Sequence, residues 1–313
     1  MTKSDCSTTG PVQGRRLSIS VVIAWVNSLD LLIPVLEALL SKQTRGPDEV
    51  IIATRHDKEM QSRLRALYPS VIVLSAHPST PVTALRSLGI RRACGTVIVV
   101  TEDHCVPSSD WVSIIEKQMM HPDCRIVGGP VENGSTTRLR DWAAFLTEYA
   151  DFVPASAGGF VSPRVPGNNV AYRRELCDEL CAILEQGLWE SFYYQHLVNR
   201  GIHITFDREM LIYHSRTFDF WYFVEQRYHF CRSFAAMRCD SFTIFDRMKY
   251  GAGSLMLPPV LVFRGLMTLM RKRRLVGRYI FCLPLIWIYM SVGALGEMMG
   301  YFLGGGNSLA RVE

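Results

Sequence analysis

No CxxC pair and no metal-ligand spacing occurs among the nine cysteines, which excludes a zinc ribbon and a CxxC redox motif. Odd in number and scattered, they read as reduced thiols of a cytosolic catalytic portion. Cys177 and Cys181, four apart in a helical pattern, read as buried or as one helix face. The charge excess is small, +5 over 313 residues. It is spread along the chain, so composition points neither to nucleic acid nor to an acidic partner. The one dense basic run, Arg271-Lys272-Arg273-Arg274, sits between apolar segments. Residues 1–16 lack the apolar core of a signal peptide and read as a disordered tail. Internal repeats and low-complexity stretches are missing too.

What is present is alternation. A chain of 313 residues has room for one large domain or two modest ones. Strand patterns at 18–26, 50–53, 71–74, 96–100 and 125–127 are separated by helical patterns at 31–40, 58–67, 83–93 and 109–120. Such alternation predicts right-handed βαβ units and a mostly parallel sheet covered by helices. After Gly128-Gly129-Pro130 the pattern loosens. A helix is expected over 141–149, then a Gly/Pro/Ser-rich loop over 155–166, long enough to be a mobile flap. A short strand at 168–172, helices at 175–184 and 189–199, strands at 202–206 and 210–213, and an aromatic helix at 218–237 follow.

The chemistry is expected where Thr96-Val-Ile-Val-Val-Thr101 runs into Glu102, Asp103 and His104. An unbroken apolar run reads as a strand buried on both faces. Ligands bind at the carboxyl ends of such strands, and carboxylates gathered there are costly unless they meet a cation or a substrate. A polar turn closing the strand is the plainer reading.

Taken together, residues 17–238 resemble an inverting glycosyltransferase of family 2 with the GT-A fold. The resemblance is carried by Val21-Val-Ile-Ala-Trp-Val-Asn27, Gln43-Thr44, Asp48-Glu-Val-Ile-Ile-Ala53 and Arg86-Ser-Leu-Gly-Ile-Arg-Arg-Ala-Cys-Gly95. It continues through Glu102-Asp-His104, Pro166-Gly-Asn-Asn-Val-Ala-Tyr172 and Trp189-Glu190, with Gly201 and His214 downstream. The family generally has Pro where Ala24 stands, Asp-x-Asp where Glu102-x-His104 stands, and Glu-Asp where Glu190-Ser191 stands.

The resemblance implies a nucleotide-sugar donor and a divalent cation, Mg²⁺ or Mn²⁺, acting as a Lewis acid on the leaving diphosphate. Glu102 and Asp103 supply oxygens, and His104 or His214 a nitrogen, which suits Mn²⁺ better than Mg²⁺. His214 is otherwise a strand-end histidine bonded in the core. Donor contacts are expected from Ala24, Asn27 and Asp57, a diphosphate contact from Arg86, and contacts to the diphosphate or to an anionic lipid from Arg227 and Arg232, with Gln226. Asp57 is alternatively a solvated loop carboxylate, and Arg86 a solvated helix residue. Glu190 falls where the family places the base that deprotonates the acceptor hydroxyl, at a helix N-terminus that favours the ionised form. The competing reading is a helix-capping Glu. Asn168, Asn169 and Trp189 are expected on the acceptor side.

From Gly251 the composition turns apolar. The stretch 255–270 holds Pro258-Pro259 and Arg264 and reads as interfacial or re-entrant. Residues 279–296 are uncharged for about the length of one bilayer crossing. Two crossings would set the basic run 271–274 outside, against the positive-inside rule. Hence the expected order: tail 1–16, GT-A catalytic domain 17–238, membrane-associated region 239–313. Glu297, at the edge of the second stretch, is either a functional acid or an interfacial carboxylate. The alternative is that both stretches are buried core helices. The function expected is metal-assisted transfer of a sugar to a lipid-linked or membrane-presented acceptor hydroxyl, with inversion, on the cytoplasmic face. The partners are the donor, the acceptor and the membrane surface, without nucleic acid. A binding or assembly protein that keeps the nucleotide-sugar fold without turnover is the alternative. Another nucleotide-dependent transferase on a similar sheet is the third.

Overall fold

Continuous apolar runs become the centre of the molecule. The computed structural model describes residues 16–159 and 164–312. The expected tail lies outside them except for Arg16, as does the middle of the expected flap, 160–163. The first half runs β1 (Ile19–Trp25), α1 (Leu29–Ser41), β2 (Glu49–Thr54), α2 (Lys58–Leu67), β3 (Ile72–Ser75), α3 (Val82–Arg92), β4 (Val97–Glu102), β5 (Cys105–Pro107) and α4 (Trp111–Met119). It continues with β6 (Ile126–Gly128), β7 (Val131–Asn133), α5 (Leu139–Tyr149), β8 (Val170–Arg173), α6 (Cys177–Glu185) and α7 (Glu190–Asn199). Then come β9 (Thr205–Phe206), β10 (Ile212–His214), α8 (Phe220–Met237), α9 (Ile244–Gly253), α10 (Leu257–Lys272) and α11 (Val276–Leu303).

Seven strands form one sheet in the order β3-β2-β1-β4-β8-β6-β9. β1 lies parallel to both β2 and β4, and all seven of its residues are buried. β8 enters antiparallel between β4 and β6. The expected alternation therefore holds through β4, with helix α2 at the expected bounds. The sequence reading missed a second sheet, β5-β10-β7. All three of its strands are three-residue pieces, too short to show a period of two. This small sheet carries His214 at the end of β10 toward the end of β4.

The C-terminal helices pack on the rest. The stretches Ile244–Lys272 and Val276–Leu303 are each long and apolar enough to cross a membrane. α11 runs parallel to α8, with Tyr289 against Phe220 and Phe223 at ring-centroid distances of 5.8 and 4.6 Å. Farther along, Gly296 and Gly300 bring the two backbones into contact. A Cβ on Gly296 would lie 2.4 Å from the Tyr228 carbonyl oxygen. Gly296→Val is therefore expected to destabilise the protein by about 1–3 kcal/mol through overpacking. Thermal unfolding checks this, and an unchanged midpoint would contradict the contact.

Candidate active site at the carboxyl end of the sheet

β4 ends in three polar residues that the pleat and the following turn send in different directions. Asp103 points inward and is 1% exposed. Its Oδ2 accepts from the backbone amides of Val26 and Asn27, both at 2.8 Å, and its Oδ1 accepts from Asn27 Nδ2 at 2.8 Å. The same Oδ1 meets His104 Nδ1 at 2.8 Å. Burial alone would raise this carboxyl, but His104 and the two amides outweigh it and hold the group below the usual carboxylate range. Asp103 thus clamps the end of β1 to the end of β4, and it orients an imidazole.

That orientation frees the other side of the ring. With Nδ1 directed at Asp103, His104 Nε2 faces His214 Nε2 at 3.0 Å and lies 3.5 Å from Glu102 Oε2. A carboxylate behind a histidine in this way is the arrangement that fixes ligating imidazoles. Burial, the neighbouring His104 and Arg216 push His214 well below the ordinary histidine value, so it is neutral. Glu102, His104 and Cys105 have potential ligand atoms within 4.8 Å of one another. Burial and the Glu102 and Asp103 charges drive the Cys105 thiol well up, which leaves it protonated. Asn168 adds a buried Oδ1 with no hydrogen-bond partner. Its Nδ2 donates to Glu102 Oε2 at 3.1 Å and to Tyr149 Oη at 2.8 Å. One carboxylate oxygen, two imidazole nitrogens and an orphaned amide oxygen make a mixed O/N donor set. This set fits a divalent cation, Mn²⁺ better than Mg²⁺.

Arg86 joins the cluster to the start of α7. It is 3% exposed, not on a solvated face. Its Nη2 meets Glu102 Oε1 at 2.6 Å, and its Nη1 pairs with Glu190 Oε1. Burial opposes its charge, but the two carboxylates hold the guanidinium firmly protonated. Glu190 is buried as the first residue of α7, after Trp189. Gly167 lets the chain pass close by, since a Cβ there would stand 3.0 Å from Glu190 Oε2. Trp189 covers the guanidinium at 5.8 Å and lies 5.4 Å from the Phe230 ring of α8. Its indole nitrogen is buried without a partner.

The other expected site residues also make contacts within the fold. Asn169 is fully buried, accepting from Trp111 Nε1 and donating to the Pro130 and Met210 carbonyls. Asp57 caps α2, its Oδ1 accepting from the Met60 amide at 2.8 Å. Asn27, besides meeting Asp103, offers its carbonyl to Trp25 Nε1 and meets His56 Nε2 with it, both at 2.8 Å. Ala24 is buried in β1, in register with Ala53 and Glu102. Arg232 donates from Nε to the Gly304 carbonyl at 3.0 Å, at the end of α11. Arg227 lies near Glu148 and over the Phe230 ring at 5.8 Å, with its Nε buried and unpartnered. Tyr149 was not expected here. It closes the cluster through Asn168 and packs on His214 with ring centroids 4.9 Å apart. Its only signal in the sequence was its place at the end of an amphipathic helix.

Residues 20–181 match the family described as Glycosyl transferase family 2, more than half of the chain. The chain belongs to that family. Among solved structures, this family 2 glycosyltransferase is similar to the mannosyltransferase PcManGT from Pyrobaculum calidifontis in complex with GDP-Man and Mn²⁺. The TM-score is 0.57 at 16% identity, over 91% of this chain and 88% of that one. It is also similar to glucosyl-3-phosphoglycerate synthase from Mycobacterium tuberculosis in complex with Mn²⁺, UDP and glucosyl-3-phosphoglycerate. There the TM-score is 0.46 at 16% identity, over 71% of this chain and 79% of that one. No curated protein matches the chain in sequence. The parallel sheet, its antiparallel insertion and the family match together give the GT-A fold.

Proposed function

We propose that this glycosyltransferase moves a sugar from a nucleoside-diphosphate donor to a membrane-presented or lipid-linked hydroxyl, with inversion and with a divalent cation, on the cytoplasmic face. The observation that carries the reading is the convergence of Glu102, His104, His214 and Asn168 with Glu190, all tied through Arg86. Glu102, the two imidazoles and Asn168 would hold the cation. When bound, it offsets the negative charge that builds on the departing diphosphate. The PcManGT structure, which holds GDP-Man and Mn²⁺, supports the fold on which this reading rests.

The chain's own residues divide the remaining work. The ends of β1 and β2, with Ala24 and Asn27, floor the nucleoside side, and Arg227 faces the diphosphate from α8. Glu190 takes the proton of the acceptor hydroxyl as it attacks the anomeric carbon. Arg86 pairs with Glu190 and aims it, and pairs also with Glu102 at the other end of the reaction axis. Trp189 offers an aromatic face to the acceptor. The apolar region after residue 239 supplies the membrane attachment.

Purified protein incubated with a panel of nucleotide sugars, with and without Mn²⁺, is expected to release nucleotide from one donor class, and a chelator is expected to abolish the release. Donor turnover that a chelator leaves untouched would end the cation-assisted reading. Donor binding without any turnover on membrane acceptors would favour a binding protein.

A further inference from the structure

We infer that residues 244–303 form an in-plane platform seated in one leaflet of a bilayer, and that neither α10 nor α11 crosses it. The inference rests on the membrane attachment proposed above and specifies its geometry.

The turn between α10 and α11 is held by the catalytic side. The Ser156 amide donates to the Lys272 carbonyl at 3.0 Å. Lys272 itself is buried, its Nζ donating to the Val153 carbonyl at 2.8 Å. Arg274 pairs with Glu132 of β7. One turn earlier, Asp151 meets Arg264 at 3.1 Å and Thr268 at 3.3 Å. A crossing α10 would place this turn beyond a hydrocarbon core about 30 Å thick, far from all of these partners.

The far end of α11 is held as well. Arg232 meets the Gly304 carbonyl, Ser308 lies 3.0 Å from His229 Nδ1, and Gln226 donates to the Arg311 carbonyl at 2.9 Å. Between its ends α11 lies along α5 and α8. With 28 residues it is about 42 Å long, so it has the length to cross. Crossing would carry α8 with it. That helix bears Glu225, Arg227, His229 and Arg232, and such groups are expensive in lipid.

The outward faces are apolar nonetheless. Phe281, Ile288, Leu295 and Phe302 recur every seven residues along α11 and are all exposed. Phe263 on α10 and Phe245 on α9 are exposed with them. Exposed apolar side chains on helices that pack together mark an interaction or membrane surface. Charge selects the occupant. From residue 244 to residue 303 the only acids are Asp246 and Glu297, whereas Lys249, Arg271 and Arg278 stand exposed and basic. An apolar face edged by lysine and arginine matches one leaflet with anionic head groups.

The test is sidedness. The full-length chain is synthesised in the presence of vesicles of mixed neutral and anionic phospholipid, which are then floated and treated intact with a membrane-impermeant maleimide. Cys94, the exposed cysteine of the catalytic side, reports alone in a Cys6→Ser variant. In a Cys6→Ser, Cys94→Ser background, Gly277→Cys, placed where a Cβ meets nothing within 4 Å, reports the α10–α11 turn, and Asn307→Cys, at an exposed position beyond α11, reports the far end of that helix. The platform predicts that all three are labelled in intact vesicles. Labelling of Cys94 with protection of Gly277→Cys or Asn307→Cys until detergent is added would overturn the inference and leave membrane attachment standing. A chain that fails to float would overturn the attachment itself.

Discussion

Glu190→Gln is expected to lower turnover by about 10²–10⁴-fold while donor affinity stays near that of the parent, the range for loss of a general base. Glutamine keeps the length of the side chain and an oxygen for Arg86, but it cannot take a proton. The pair it alters is buried on both sides, with Arg86 and the Glu190 side chain 3% and 4% exposed. Removing one partner's charge leaves the other less compensated. Arg86 retains Glu102 at 2.6 Å, so the guanidinium is not stranded. Single-turnover rates and donor titration, measured with a melting curve on the same preparation, separate chemistry from folding. Turnover at the parent's level would remove Glu190 from the role of base. An equal loss of donor binding would place it on the donor side instead.

How much of this site was legible depended on the kind of signal each residue carries. β1, β2 and β4 are short, β-branched and largely apolar runs, which read as covered strands by their length and composition, so the position of Glu102 and His104 at a strand end followed. The direction of the three side chains did not follow. Whether Asp103 or its neighbours face the cleft depends on a turn between two strands, β4 and β5, and the three residues of β5 carry no readable period. His214 reaches the cluster only because β10 pairs with β5 and β7, a pairing of short pieces far apart in sequence. Asn168 and Asn169 are adjacent and chemically identical. One turns to Glu102 and Tyr149, the other to Trp111 and two backbone carbonyls. Alternation across a strand entry separates them, and no composition rule could. In α8 and α11 the apolar content was legible, but the glycine contacts that dock one on the other are set by backbone approach.

Asp103→Asn is expected to cost stability before it costs catalysis, which changes how the substitution must be read. From the sequence it looks like a mild neutralisation at a metal site. In the structure the two carboxylate oxygens accept from two backbone amides, one side-chain amide and one imidazole. An asparagine offers one acceptor oxygen and an NH₂ donor. In either rotamer the donor is set against an N–H group that needs an acceptor, at a position 1% exposed. Hydrogen bonds to a charged group contribute about 1.5–3 kcal/mol each, and an unsatisfied buried donor costs a similar amount. A loss of about 3 kcal/mol or more is expected, read from denaturant unfolding at neutral pH. The wild-type contribution also has a definite pH dependence. The folded carboxyl titrates below its unfolded value of about 3.9, so its stabilisation is complete above that pH and disappears as the pH falls through the folded value. The stability gap between parent and Asp103→Asn should therefore be constant from neutral pH down to mildly acid and should narrow only below about 3.9. A gap that already narrows between neutral and mildly acid pH would mean that the ionised Asp103 carboxylate is not its source. An Asp103→Asn protein as stable as its parent would mean that the β1–β4 clamp is not what holds the site together.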